Sequence, residues 1–240
     1  MAFWNRASQL QKRSEWLSSQ TFVVLAIQVP KDNEKTPQSA EQFFAALHGI
    51  YRDDPVVQEH VSFEIVALKE SITFYVFTPL HLRDFIEGQL YAQYPNLDIH
   101  QVTDYTKAVH LEGQHVATTK IKLTKEEVYP IKTFTASEVD PLAGITAVLS
   151  GLSELEQVWF QMVARPVGDD WQSKGVKYVQ DKRAGRTNVG GGIAIETHPP
   201  GVAATQATHD ANDIISVGIG IPVRLIQAVI TVIAAHIQIH

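Results

Sequence analysis

Apolar and polar positions alternate along residues 63–68, and a run of β-branched and aromatic residues follows at 72–77 after a short polar turn at 69–71. Two such runs joined by a short turn are typical of a β-hairpin. Residues 97–102 alternate again and predict a further strand.

A helix is predicted between the hairpin and that strand. Thr78 precedes Pro79, which suits an N-cap residue followed by the first helical position. Apolar residues then recur at helical spacing and define one buried face: Leu82, Phe85, Ile86 and Leu90. Pro95 ends the helix, because proline cannot continue it.

Two further elements precede the hairpin. Residues 21–30 are apolar on both faces, which indicates a central strand. Ser39 can cap a helix whose apolar positions are Phe43, Phe44, Leu47 and Ile50. The order over residues 21–105 is therefore strand, helix, strand, strand, helix, strand. This order predicts a ferredoxin-like split βαβ unit, with an antiparallel sheet and helices on one face.

A second, smaller α+β unit is predicted over residues 106–181. Its elements are strands at 118–123, 129–134 and 157–164, a helix that begins at Asp140, and a helix at 169–181. Residues 182–213 are rich in Gly, Pro, Ala and Thr and predict a linker. The predicted fold class of the whole chain is α+β.

The first 20 residues predict an amphipathic helix. Basic residues alternate there with large apolar ones: Trp4, Arg6, Leu10, Lys12, Arg13, Trp16 and Leu17. Such a helix can lie in a membrane interface or pack on its own domain. Packing on the domain, or a frayed terminus, is the favoured interpretation.

Residues 214–240 form an apolar tail rich in isoleucine. Ile219, Val223, Ile226, Ile230, Ile233 and Ile237 step by three and four, which predicts a helix with a heptad-like seam. Packing within the chain or between chains is favoured for it. The alternatives are a membrane span and the apolar start of a further domain. Arg224 disfavours a span by about 2.5–3.5 kcal/mol at the membrane centre, and the Ile and Val residues around it can offset much of that cost. Heavy β-branching also allows a strand over part of the tail.

Composition excludes several classes of protein. The 240 residues are 45% hydrophobic and 19% charged, which suits one large or two small globular domains. A net charge of −6 argues against a nucleic-acid coat protein. The sequence has no cysteine, so disulfides, zinc–thiolate sites and thiol nucleophiles are excluded. The first residues lack the apolar run of a secretory signal peptide.

No motif predicts a catalytic, cofactor or metal site. A phosphate-binding loop requires Gly-x-x-x-x-Gly-Lys-Ser/Thr, which the sequence does not contain. His236 and His240 would share a helix face but have no third ligand nearby, and His110 and His115 lie in a predicted connection. Exposed histidines are the favoured interpretation.

The acidic pairs are explained by turns and helix N-termini, which favour negative charge. They are Asp53–Asp54, Glu126–Glu127 and Asp169–Asp170.

Basic residues offer two weaker hypotheses. Arg165, after a predicted strand, could bind a phosphate or a partner carboxylate, although exposed arginines at strand ends are common. A local basic patch with aromatic neighbours consists of Trp171, Lys174, Lys177, Tyr178, Lys182, Arg183 and Arg186. The patch could contact a nucleic-acid backbone. A solvated helix face is the favoured interpretation.

Several segments of the sequence, taken together, resemble those of one protein family. They are residues 40–49, 63–65, 88–95, 130–134, 140–142 and 156–161. As a set they resemble the N-terminal, non-ATPase region of bacterial type IV secretion or conjugative DNA-transfer ATPases, which are HerA-like translocases. The resemblance covers about residues 21–180 and includes no catalytic residue.

The resemblance implies a non-enzymatic assembly or adaptor module of a DNA-transfer apparatus. Its partners would be a motor ATPase or a secretion-channel component, with homo-oligomerisation expected and membrane contact through residues 214–240 as a further expectation. Direct nucleic-acid binding stays open. The implied location is the cytoplasm, peripheral at or anchored to the inner face of the plasma membrane. The alternative is a structural protein that self-assembles through a sheet edge and the apolar tail.

Overall fold

A computed structural model describes residues 2–33, 35, 37–54, 56–68, 71–108, 114–123, 143–153, 156–168, 170–184, 193–197 and 226–237. The helices are α1 Ala2–Ser18, α2 Pro37–Ala46, α3 Arg83–Gln93, α4 Ala143–Ser150 and α5 Asp170–Arg183. The strands are β1 Phe22–Gln28, β2 Val61–Leu68, β3 Ser71–Pro79, β4 Asp98–Val102, β5 Gln114–Leu123, β6 Glu156–Pro166, β7 Ile193–Thr197 and β8 Ile226–Ile237. Short 3₁₀ helices occupy Leu47–Ile50, Leu80–Leu82 and Tyr105–Ala108.

The described strands form one sheet in the order β4-β1-β3-β2-β6-β8-β5-β7. Every neighbouring pair is antiparallel. The predicted α+β class is confirmed. The first four strands have the order β4-β1-β3-β2, with α2 and α3 in the two crossovers, which is the order expected of a split βαβ unit. The ferredoxin-like assignment itself stays a prediction.

The main core lies between this part of the sheet and helices α2 and α3. Its buried residues are Val23, Leu25, Phe43, Leu47, Ile50, Val61, Val76, Ile86 and Leu90. Leu25 and Ile86 are fully buried. Burial of each such side chain stabilises the fold by about 1.5–3 kcal/mol. A second cluster on the same face packs Leu149 of α4 against Ile65 and Ala67 of β2.

The two predicted units share this sheet. Strand β6, predicted for the second unit, pairs with β2 from Val61–Ala164 to Leu68–Gln157. The boundary near residue 105 therefore separates segments of the sequence and not two sheets.

The tail is a strand and not the predicted helix over residues 226–237. Strand β8 pairs with β6 on one side and with β5 on the other. A central strand needs apolar residues on both faces, and β-branched residues suit it. Residues 214–225 and 238–240 of the predicted tail lie outside the described residues.

Two smaller predictions were also wrong. Strand β7 lies inside the predicted linker 182–213. Thr78 does not cap a helix, because it lies in β3 opposite Val23 and is fully buried. Pro79 has φ −54° and ψ 139°, an extended conformation that continues the strand. The predicted strand 129–134 lies outside the described residues.

None of the helices that the structure describes is both long enough and apolar enough to cross a bilayer.

Candidate functional site

Three consecutive polar residues are buried where the chain enters β2. The solvent-exposed fractions of Gln58, Glu59 and His60 are 3%, 2% and 1%. Charged residues are rarely this buried without partners. This run, together with Arg52 and His81, is called the β2-entry cluster below.

Glu59 is the centre of the β2-entry cluster. Its Oε1 lies 3.4 Å from Arg52 Nη2 and 2.5 Å from His81 Nε2. The Glu59 side chain is 3% exposed, whereas those of Arg52 and His81 are 51% and 48% exposed. Among the described residues, Glu59 Oε2 has no hydrogen-bond partner. A buried carboxylate is thus bound by two half-exposed basic groups, of which the imidazole is charged only when protonated.

Gln58 and Arg13 hold this segment in place. Gln58 Oε1 accepts a hydrogen bond from the Arg52 backbone N–H at 2.7 Å, and Gln58 Nε2 donates to the Ile50 carbonyl at 3.2 Å. Arg13 Nη1 donates to the carbonyls of Val56 and Gln58 at 3.1 and 2.9 Å. Arg13 therefore anchors α1 to the domain, in agreement with the favoured prediction for the first 20 residues.

Burial lowers the pKa of Arg13, the residue that anchors α1. Desolvation and the nearby charge of Arg165 together lower the pKa of Arg13 to about 10. Burial also lowers the pKa of Arg165, which lies in β6. Two guanidinium groups therefore lie near each other at this end of the sheet.

A second polar cluster lies on the face of the sheet opposite α2 and α3. Tyr105 Oη donates to Glu64 Oε2 at 2.7 Å. Gln161 Nε2 donates to Tyr105 Oη at 2.9 Å and to Glu64 Oε1 at 3.3 Å. Burial, followed by the charge of Glu64, raises the pKa of the Tyr105 phenol. The Tyr105 ring also stacks on Tyr75 and meets Trp159 edge-on.

This cluster belongs to a polar row that crosses the described sheet. Directly paired positions share a face. From β4 to β7 the row is His100, Ala26, Tyr75, Glu64, Gln161, Thr231, Lys120 and Glu196. An adjacent row, on the opposite face, is apolar at Leu25, Val76, Phe63 and Met162.

The sequence analysis did not find the β2-entry cluster. Glu59 and His81 are 22 positions apart, and only the hairpin brings them together. The hairpin register pairs Ser62 with Phe77. Extended backwards, this register places Glu59 beside residue 80. The turn predicted at residues 69–71 was therefore the sequence feature from which the proximity of Glu59 and His81 could have been predicted.

The histidines that were weighed as metal ligands are only partly described. His236 is paired in register with His115 and with Glu156, on three neighbouring strands. His110 and His240 lie outside the described residues. The part of the chain whose side chains are described contains no group of three potential metal ligands.

The acidic pairs fit their predicted local roles where they are described. Asp54 Oδ1 accepts a hydrogen bond from the Val56 N–H at 2.8 Å, as in a turn. Asp170 begins α5. Asp169 and the pair Glu126–Glu127 lie outside the described residues.

The basic patch falls on α5. Lys177 and Arg183 are exposed and Tyr178 is half-buried. Trp171, Lys174 and Lys182 also belong to this helix, whereas Arg186 lies outside the described residues. The solvated helix face stays the favoured prediction, with nucleic-acid contact as the untested alternative.

The chemistry available to the β2-entry cluster is proton transfer or ion pairing. A carboxylate that binds an imidazole can orient it as a general base.

Residues 3–189 match the family model described as a domain of unknown function (DUF8128). No curated protein and no solved structure matches the chain. The matched range runs from α1 to α5 and contains both polar clusters. The chain therefore belongs to the DUF8128 family.

Proposed function

We propose that the chain is a non-catalytic assembly or adaptor module of a type IV secretion-like DNA-transfer apparatus. The observation that supports this proposal is the arrangement of the segments that resemble such proteins. Phe43 and Leu47, from residues 40–49, share the main core with Leu90, from residues 88–95. Residues 63–65 pair with 160–162 across β2 and β6. Segments that are distant in the sequence thus belong to one folded module.

The resembled proteins use an ATP-binding motor that is separate from this region. No phosphate-binding loop occurs in the sequence, so the ATPase activity is not transferred to any residue. The module would instead supply binding surfaces. Its proposed partners are a motor ATPase or a channel component, at the cytoplasmic face of the plasma membrane.

Anchoring of α1 fits this role. Arg13 is buried, whereas Leu10 on the same helix remains 42% exposed. A helix fixed at one point and exposed elsewhere can contact a partner without unfolding the domain.

The test uses the purified chain with a HerA-like motor ATPase from the same organism. We expect no phosphate release from ATP by the chain alone, and a defined complex with the motor by light scattering. Failure to bind either the motor or a channel component of that apparatus would count against the adaptor role.

A matched pair of variants guards against undetected catalysis. Glu59→Gln removes the negative charge of the β2-entry cluster, and Asp53→Asn removes an exposed negative charge nearby. Phosphate release that Glu59→Gln abolishes and Asp53→Asn preserves would overturn the proposal and identify an enzyme.

The alternative of self-assembly through the tail is not supported by a specific observation. Within the described residues, β5 and β6 already pair with both sides of β8. Self-assembly through residues 226–237 would therefore have to displace β5 or β6.

A further inference from the structure

Strand β4 lies at one end of the described sheet. Its hydrogen-bonded neighbour there is β1. Asp98, His100 and Gln101 are exposed, while Ile99 and Val102 are half-buried. The outer side of such a strand presents backbone donors and acceptors that can pair with another strand.

The two ionisable residues of this edge lie on one face. Asp98 and His100 are two positions apart, with His100 Nδ1 3.9 Å from Asp98 Oδ1. Their side chains are 71% and 46% exposed respectively. Ile99 lies on the opposite face and packs at the margin of the main core.

A single charge on an edge strand usually prevents pairing with a second copy, because like charges meet. An antiparallel two-fold register can centre on any of the 5 residues of this strand. Three of these registers bring Asp98 or His100 opposite itself or opposite each other. One centred on residue 98 pairs Asp98 with itself, and one centred on residue 100 pairs His100 with itself. The register centred on Ile99 pairs Asp98 with His100 twice.

We propose that β4 is a homodimerisation edge, at which a second copy of the chain pairs antiparallel with Ile99 opposite Ile99. Each Asp98 then lies opposite the His100 of the second copy. When the imidazole is protonated, these are pairs of opposite charge, which stabilise a sheet, whereas like charges destabilise it.

The two-fold axis of this arrangement is perpendicular to the sheet. The faces that carry α2 and α3 therefore stay on the same side in both copies, and the two isoleucines meet at the margin of the two cores. The interface is isologous, so it closes after two copies. The inference does not depend on the proposed adaptor function.

The test is a charge-swap series on the full chain, measured by sedimentation velocity over a concentration range. Asp98→Lys places lysine opposite histidine, and His100→Glu places glutamate opposite aspartate. We expect each single variant to weaken the dimer on the order of tenfold or more. The double variant Asp98→Lys/His100→Glu restores opposite charges in both pairs and should restore the dimer.

Two controls accompany the series. Asp53→Lys makes the same change of charge at an exposed site before β2 and should leave the dimer intact. Thermal unfolding should show that all variants fold, because the exchanged side chains are exposed.

A monomeric wild-type chain overturns the proposal. A dimer that ignores the single substitutions, or that the double variant does not restore, overturns it as well, since association then uses another surface or a different partner.

Discussion

Tyr105 is the residue that joins the 3₁₀ helix after β4 to the centre of the sheet. Its hydroxyl donates to Glu64 and accepts from Gln161, both of which are buried. A buried carboxylate that loses a donor retains the full cost of its desolvation. The phenol therefore contributes to stability mainly by satisfying its neighbours.

We expect Tyr105→Phe to lower the free energy of unfolding by about 1.5–3 kcal/mol, because the bond it removes involves a charged group. Urea unfolding measures this change. Tyr91→Phe is the matched control, since Tyr91 is 39% exposed and lies on α3. Equal effects of the two substitutions would contradict the role of the Tyr105 hydroxyl.

The same phenol predicts a loss of stability in alkali. Burial and Glu64 raise the pKa of Tyr105 above its ordinary value of 10.0. Above that value the unfolded chain loses a proton that the folded chain keeps, so the free energy of unfolding falls as pH rises. The expected contribution is at most about 1.4 kcal/mol per pH unit.

Unfolding curves in urea between about pH 9 and pH 11 measure this slope. Tyr105→Phe should have a shallower slope than the wild-type chain. Burial also raises the pKa of Tyr94, so some slope should remain in the variant. Identical slopes would show that Tyr105 ionises alike in the folded and unfolded states.

At the scale of the elements, two glycines have opposite surroundings. A Cβ added at Gly88, inside α3, would have no heavy atom within 4 Å. One added at Gly168, between β6 and α5, would lie 2.7 Å from Tyr51 Oη. The Tyr51 ring is stacked on His48, so its displacement has a cost.

We therefore expect Gly88→Ala to raise the free energy of unfolding by about 0.5–1 kcal/mol, because alanine is the better helix former. Gly168→Ala should lower it by about 1 kcal/mol or more, through the required shift of Tyr51. Thermal unfolding shows whether each substitution raises or lowers the stability of the chain. Stabilisation by Gly168→Ala would contradict this expectation, because it would show that the loop or Tyr51 can shift without cost.

Most elements could be predicted because their periodicity was clear. Strand β4, helix α3 and the β2–β3 hairpin follow the alternation and the helical spacing of their sequences within a few residues. Strand β8 was predicted only as an alternative to a helix, because a continuous apolar run suits both a buried helix and a central strand. Its partners, β5 and β6, lie far away in sequence.

The candidate site was harder to predict for the same reason. Glu59 and His81 belong to no local sequence motif. Their pairing depends on the register of the β2–β3 hairpin. The turn of this hairpin was predicted, but the strand pairing was not followed back to residue 59. Glu64 and Gln161 are 97 positions apart. Their proximity requires that β2 and β6 belong to one sheet, and the sequence pattern favoured two separate units.

At the scale of the whole molecule, one sheet joins the beginning of the described chain to its last strand. Strand β8 pairs along its whole length with β6, from Ile226–Pro166 to His236–Glu156. Amide groups in the centre of a sheet exchange with solvent only when large parts of the molecule unfold.

We expect the amides of residues 226–237 to exchange as slowly as those of β6. Hydrogen exchange followed by mass spectrometry measures both segments together. Residues 7–12 of α1, which are exposed, provide the fast reference. Fast exchange over residues 226–237 would contradict their place in the sheet and would favour a detached tail.

The position of β8 also affects how the chain folds during synthesis. The partner edge of β6 is made about 60 residues before β8. At ordinary rates of translation that interval is roughly 3–12 s. Throughout it, β6 presents an open edge to other nascent chains, and an unpaired edge favours aggregation. Protection by chaperones should therefore matter most between the synthesis of these two strands.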